Sequence, residues 1–273
     1  MNIIECLHTE SSCYKTAPTV RPIGIVVHST GVNNPNLKRY VQPSKSDPKY
    51  NSLIQTIGKN TNGNSWNRTI SKSVHYFIGK KANGDVAVAK ILPETRSAWG
   101  VGSGKKGSYN YNPTAHIQFE VCEDNLGSET YFNECYNAAV SLCADICRRW
   151  GWEASVIVSH HEAYKKGYAS NHADIDHWLT KYKKTMDDFR KDVDKLLHPN
   201  KPLEVGDIVE FTASTHYASA NATTGKKCSP GKAKITRIYM LGKSRHPYHL
   251  VATKGGGSTV CGWVNEKDVK RTN

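Results

Sequence analysis

The chain has 273 residues, 38% of them hydrophobic, with 37 Lys and Arg against 24 Asp and Glu. Because domains usually contain roughly 100 to 200 residues, this length predicts two domains. The net charge of +13 favours a polyanionic partner. The longest apolar run, around 23–27, is far shorter than the ~18 residues of a membrane span, and residues 1–9 lack a basic leader with an apolar core. The composition therefore predicts neither membrane insertion nor a signal peptide.

The N-terminal two thirds of the chain mixes strand and helix patterns. Short apolar runs predict five buried strands: Ile23–His28, Val74–Ile78, Asp85–Leu92, His116–Cys122 and Ser155–Val158. Apolar residues at helical spacing predict three helices: Tyr50–Ile57, Glu129–Trp150 and Lys183–Leu197. Strands covered by helices predict an α/β domain over residues 1–197.

The character of the chain changes after residue 197. Two prolines and no apolar periodicity predict a linker at 198–202. Four short runs between Gly, Pro, Ser and Asn clusters predict strands: Val205–Phe211, Ala233–Tyr239, Tyr248–Val251 and Val260–Val264. Residues 203–273 are therefore predicted to form a small all-β barrel or sandwich.

The eight cysteines are predicted to be reduced and structural. Cys135, Cys143 and Cys147 fall at helical spacing among apolar residues, where buried thiols act as small apolar groups. The sequence contains no C-x-x-C pair, so a cysteine-rich zinc module has no support.

Histidines and aspartates are dense between residues 158 and 178. This segment contains His160, His161, His172, Asp174 and His177. So many potential metal ligands in one segment are not explained as ordinary surface residues. It is not the helical zinc-protease motif, because Lys165 stands where that motif has its second histidine. A lone strand-end histidine such as His28 would, by itself, be interpreted as structural.

Five sequence fragments carry a family resemblance across residues 23–178. They are Ile25–Thr30, Ser73–Ile78, Ser97–Trp99, Ile117–Glu120 and Ser170–Asp174. Their residues and order resemble those of zinc N-acetylmuramoyl-L-alanine amidases, which share their fold with peptidoglycan recognition proteins. The resemblance implies a mixed central sheet flanked by helices.

The resemblance also implies a zinc site. Position by position, His28, His160 and Asp174 match the family's zinc ligands. Two imidazoles and one carboxylate leave a fourth position for water, as hydrolysis requires. His160 is preferred to His161 because it aligns with the end of the predicted strand.

Two further residues acquire catalytic roles from the resemblance. Glu120 matches the general base, and the strand alternation places it off the apolar face, where the alternative is a solvent-facing glutamate. His172 matches the position that donates to the developing oxyanion, and its alternative role is to orient a ligand.

His75, Trp99 and Asn171 are predicted to contact substrate. Packing of His75 in the strand and of Trp99 in the core is the competing interpretation. The sequence departs from many relatives at Gly100, where they carry histidine after the tryptophan. Subsite contacts are expected to differ there, while the ligands and the base are retained.

The C-terminal region resembles the bacterial SH3-like modules of endolysins. The fragments are Val205–Val209, His246–Leu250 and Gly262–Val264. The candidate stacking residues are Tyr217, Tyr239, Tyr248 and Trp263, although in so small a barrel some aromatic residues must fill the core. The alternative to wall binding is a purely structural appendage. Together, the resemblances imply a phage-type endolysin that is made in the bacterial cytoplasm and acts on the wall after release. Its expected partners are peptidoglycan and anionic wall polymers.

Two other functions compete with this interpretation. The first is a recognition protein that binds peptidoglycan without cutting it, which the complete ligand set disfavours. The second is nucleic-acid binding driven by charge, which is disfavoured because the sequence has no basic arm or known binding motif.

Overall fold

A computed structural model of the protein describes residues 2–61, 68, 71–199 and 202–272. It divides into two compact units, Met1–Pro199 and Asn200–Asn273. Of the predicted linker, residues 200 and 201 lie outside the described residues. Within the described ranges, no helix is both long and apolar enough to cross a membrane.

The first unit combines six strands with six α-helices among its described residues. The strands are β1 Ile3–Glu5, β2 Ile25–Ser29, β3 Tyr76–Lys80, β4 Val86–Lys90, β5 Ile117–Val121 and β6 Ile157–Ser159. The helices are α1 Ser12–Thr16, α2 Tyr50–Ile57, α3 Glu129–Trp150, α4 His160–Lys166, α5 Asp176–Lys181 and α6 Met186–Leu197. The α/β prediction is confirmed, and β1, α1, α4 and α5 are additions to it.

The six strands form one mixed sheet in the order β1-β4-β3-β5-β2-β6. Only the β3–β4 pair is antiparallel. The carboxyl ends of β2, β5 and β6 therefore meet at one edge, the usual place for a site in such sheets. In the register of β2 and β5, His28 pairs with Glu120.

Helix α3 forms the largest helical contribution to the core. Ser128 accepts a hydrogen bond from the Tyr131 N–H at its start, and Gly151, at φ 69°, ends it in the left-handed conformation that glycine adopts without steric cost. Its apolar face packs in the same cluster as Ile25 and Phe119 of the sheet. Six of the eight free cysteines are buried, as expected for small apolar core residues.

The second unit is a seven-stranded antiparallel sheet with its own core. Its strands are β7 Ile208–Phe211, β8 Thr215–Tyr217, β9 Gly225–Lys227, β10 Gly231–Ile238, β11 Tyr248–Ala252, β12 Cys261–Val264 and β13 Val269–Arg271, in the order β13-β7-β10-β11-β12-β8-β9. The all-β prediction is confirmed. Tyr248, predicted as a stacking residue, instead fills the core beside Phe211 and Leu250.

Candidate metal centre and active site

Three side chains from distant parts of the sequence converge at the carboxyl edge of the sheet. His28 Nδ1 lies 3.1 Å from Asp174 Oδ2 and 3.0 Å from His160 Nδ1. His160 Nδ1 lies 3.5 Å from the same oxygen of Asp174. Both histidines are buried, and Asp174 is half-buried. The structure therefore brings together the three residues that the sequence predicted as ligands.

Local structure explains how each side chain reaches this point. His28 lies near the end of β2, and Asp174 lies in the loop before α5. His160 is the first residue of α4, which Ser159 and Glu162 cap reciprocally: the Ser159 side chain accepts from the Glu162 N–H, and Glu162 accepts from the Ser159 N–H. This cap fixes the turn from β6 into the helix and directs His160, rather than His161, towards the cluster.

The protonation states suit a divalent metal. Burial lowers the pKa of His28, although Asp174 partly offsets this, so the imidazole is neutral at pH 7. Burial opposes ionisation of Asp174, but hydrogen bonds from His160 and His28 hold its pKa well below the usual range. Imidazole nitrogens and an ionised carboxylate form a donor set characteristic of catalytic zinc.

The spacing of the three donor atoms also fits zinc. Ligands at roughly 2.0 to 2.1 Å around a tetrahedral ion lie about 3.3 Å from one another. The three observed separations are 3.0, 3.1 and 3.5 Å. Zinc therefore fits this site by donor chemistry and by donor spacing.

Glu120 on β5 is enclosed beside the cluster. It is the sheet neighbour of His28 and Phe77, and its Oε2 is buried with no hydrogen-bond partner among the described residues. Burial, together with the charges of Asp174 and Glu123, raises its pKa well above the usual value. A carboxyl group whose pKa is raised by its surroundings is suited to take up a proton and to release it again during a reaction.

His172 and Asn171 lie at the exposed rim of the site. The His172 ring centroid is 4.8 Å from that of His160, and its Nδ1 is 3.9 Å from Asp174 Oδ1. Because 60% of its side chain is exposed, His172 can meet a ligand that enters from solvent. Asn171 is also exposed.

His75 does not line an open cleft, so the predicted substrate contact needs correction. The ring is fully buried, its Nε2–H donates to the Arg96 carbonyl at 2.9 Å, and its Nδ1 accepts from the Gln118 N–H at 2.9 Å. Burial lowers its pKa to about 4. His75 therefore links neighbouring backbone segments as a neutral residue, which is the competing structural interpretation.

Trp99 is largely a packing residue. Its ring packs against a small buried cluster that includes Cys13 and Leu92, and its Nε1 is buried without a partner among the described residues. A Cβ at the following residue, Gly100, would overlap the Gln118 carboxamide oxygen, so a side chain there would require Gln118 to move.

Gln118 is a residue near the site that the sequence reasoning missed. It is fully buried on β5, and its Nε2–H donates to Asn110 Oδ1 at 2.9 Å. Its interaction with the His28 side chain raises the pKa of that imidazole, opposing the effect of burial. The strand alternation that identified Glu120 also places Gln118 on the same face and could have identified it.

Comparisons with known proteins agree with this arrangement. The sequence profile of the N-acetylmuramoyl-L-alanine amidase family (Amidase_2) matches residues 18–176, which is more than half of the chain and includes the three metal-site residues and Glu120. The chain belongs to this amidase family. The family assignment made from the sequence is therefore confirmed.

One curated relative is the N-acetylmuramoyl-L-alanine amidase CwlL of Bacillus licheniformis. It is 29% identical over 189 residues, which are 65% of this chain and 46% of the relative. The alignment thus spans about half of the relative's length.

Two solved structures resemble parts of this chain. The Staphylococcus aureus hydrolase AmiA, determined with its ligand, aligns at 16% identity over 72% of this chain and 84% of its own, with a TM-score of 0.47. The PlyG catalytic domain aligns at 19% identity over 75% of this chain and 100% of its own, also with a TM-score of 0.47.

Proposed function

We propose that this protein is a zinc-dependent peptidoglycan amidase. Its substrate is the amide that joins the lactyl group of N-acetylmuramic acid to L-alanine of the stem peptide. The observation that carries the proposal is the convergence of His28 Nδ1, His160 Nδ1 and Asp174 Oδ2 within 3.5 Å of one another. It occurs within the segment that matches the amidase family.

His28, His160 and Asp174 would hold the zinc ion. When bound, zinc supplies a Lewis acid for the scissile carbonyl and a water molecule of lowered pKa. The first two residues contribute ring nitrogens, and Asp174 contributes the negative charge that makes the site selective for a cation. Because these side chains come from β2, α4 and the loop before α5, the folded sheet edge preorganises the site.

Glu120 is the general base and then the general acid. Its enclosed carboxylate takes a proton from the attacking water and returns it to the departing nitrogen of L-alanine. Burial and, after it, the charges of Asp174 and Glu123 raise the pKa of Glu120, and a cation held by Asp174 would oppose the contribution of the Asp174 charge. His172, exposed at the rim, donates a hydrogen bond to the oxygen that gains negative charge.

Replacing Glu120 separates proton transfer from metal binding. Glu120→Gln is expected to keep the zinc affinity of the wild type within about twofold and to lower kcat by roughly 100-fold or more, the usual contribution of a general base. Zinc affinity by chelator competition and amine release from purified peptidoglycan give the two quantities. Retention of full kcat by Glu120→Gln would refute the assigned role.

The second unit holds the enzyme on the wall. Residues 200–273 contain twelve Lys and Arg and five Asp and Glu, giving +7 of the total +13. The outer face of its sheet carries one register row formed by Arg237, His249, Trp263 and Tyr217. Cationic and aromatic groups in one row suit a ligand with sugar rings and negative charge.

Wall retention tests this second role with the full-length chain. Trp263→Ala and Arg237→Ala are expected to weaken sedimentation with purified walls, and only Arg237→Ala should reduce the dependence of binding on salt. Unchanged retention of both variants would contradict the assigned face. We propose release at lysis as the route by which the enzyme reaches this substrate.

A further inference from the structure

A buried carboxylate, that of Glu123, lies three residues after the proposed general base Glu120. Glu123 follows β5, and only 6% of its side chain is exposed. Its Oε1 accepts a hydrogen bond from the Gly31 N–H at 3.1 Å, three residues beyond His28. Its own N–H donates to Thr30 Oγ1 at 3.1 Å. Glu123 is therefore attached at two points to the loop that follows His28.

The same carboxylate reaches the segment that carries Asp174. His177 Nε2 lies 3.0 Å from Glu123 Oε1, and His177 Nδ1 lies 3.4 Å from the carbonyl oxygen of Ala173, directly before Asp174. Both neighbouring oxygens are acceptors, so each ring nitrogen can donate to its partner when it carries a proton. The hydrogen bond to Glu123 raises the pKa of His177, although burial partly opposes this.

These contacts join two ligand-bearing segments that are far apart in the sequence. In the described residues, Oε1 of Glu123 contacts both the loop after β2, at the Gly31 N–H, and the start of α5, at His177 Nε2. A ligand carboxylate on a loop loses conformational freedom when the ion binds, and a loop that is already held loses less. The link therefore lowers the loss of conformational entropy that accompanies the assembly of His28 and Asp174 around a cation.

We propose that Glu123 and His177 form a positioning pair that sets the zinc affinity of the site. Neither residue touches the donor atoms; the pair acts by fixing the backbone on each side of the ligand cluster. The inference rests on the proposed zinc function, because it assigns these residues a role in holding that ion. Hydrogen bonds made to the ligating side chains themselves typically contribute 10- to 100-fold to metal affinity, and a link through the backbone is expected to lie at the lower end of this range.

The test is zinc affinity, measured by chelator competition on the full-length protein. His177→Ala and Glu123→Gln are each expected to weaken zinc binding by about tenfold or more. The double variant is expected to bind zinc within about twofold of the single variant that binds less tightly, because both changes remove the same link. His177 is only partly buried, so its truncation leaves no large cavity.

Two control variants separate positioning from general loss of stability. His198→Ala removes another partly exposed His–Glu pair, with His198 Nε2 2.8 Å from Glu153 Oε2, and neither residue belongs to the cluster of His28, His160 and Asp174. Glu94→Gln removes another buried carboxylate, whose hydrogen bonds go to Tyr76, Arg149 and Trp150. Both controls are expected to keep the wild-type zinc affinity within twofold, even where the melting temperature falls.

The outcomes distinguish failure of the pair from failure of the enzyme assignment. Zinc affinity of His177→Ala within twofold of the wild type would overturn the positioning role while leaving the metal site intact. A strictly additive double variant would also overturn it. A wild-type protein that binds no zinc would overturn both this inference and the proposed function.

Discussion

The buried carboxylate of Glu94 offers a quantitative test of how the first unit is stabilised. Tyr76 Oη donates to it at 2.6 Å, and the Trp150 Nε1–H donates at 2.7 Å. Arg149 adds a bidentate pair at 2.6 and 2.7 Å. Only 8% of the Glu94 side chain is exposed. One carboxylate thus joins β3 to the end of α3.

The magnitude follows from the pKa of Glu94. Burial opposes its ionisation, but Arg149, Tyr76 and Trp150 together lower the pKa from 4.5 to about 2. This difference corresponds to about 3 kcal/mol of differential stability. Because 43% of the Arg149 side chain is exposed, solvent screening reduces the expected contribution to about 2 kcal/mol.

Glu94→Gln should therefore lower the free energy of unfolding by about 2 kcal/mol at pH 7, or the melting temperature by roughly 4 to 8 °C. Because the folded pKa is depressed, the contribution is full above pH 4.5 and disappears as the pH falls towards 2. Tryptophan fluorescence in urea reports on this unit, which contains Trp150, Trp152 and Trp178. Equal midpoints at pH 7, or a gap that persists at pH 2, would refute the reasoning.

Two further predictions concern packing and thiol chemistry. Gly100→Ala should lower stability by about 1 to 3 kcal/mol, because the added methyl group would displace the Gln118 carboxamide from Asn110; a melting temperature within 1 °C of the wild type would contradict this. In the native protein a thiol reagent should label the exposed Cys261 first and Cys228 more slowly, with the six buried thiols reacting only after denaturation. Rapid labelling of all eight would contradict the assigned burial.

Elements with strong periodicity were predicted well from the sequence. Helix α3 has the predicted bounds because its apolar stripe lies between Ser128 and Gly151, which are typical residues at helix ends. The predicted strands of the first sheet were found with shifts of a few residues. Their continuous apolar runs reflect burial on both faces of a mostly parallel sheet.

Elements that depend on tertiary contacts were missed. Strand β1 has only three residues, and pairing with β4 determines it. Helix α4 begins directly at a predicted ligand, and its capping interaction was not recognised in the histidine-rich segment. Short elements of this kind have too few residues for periodicity to reveal them.

Residues of the candidate site were predicted correctly where they match a family pattern for metal ligands, and less well where only their sequence position was available. His28, His160 and Asp174 converge as expected, whereas His75 is enclosed by backbone hydrogen bonds that its sequence position does not reveal. The roles of Gln118 and Glu123 depend on neighbours brought together by the sheet, so they emerge only from the fold.

The central claim is tested most directly by measuring bound zinc and newly released L-alanine amino termini in the same samples. Purified peptidoglycan is incubated with the wild type, with His160→Ala and with the control variant His198→Ala. The account predicts about one zinc ion per chain and release of L-alanine amino groups for the wild type and His198→Ala, and loss of both for His160→Ala. A wild type that binds peptidoglycan without zinc and without releasing these termini would identify a recognition protein and contradict the account.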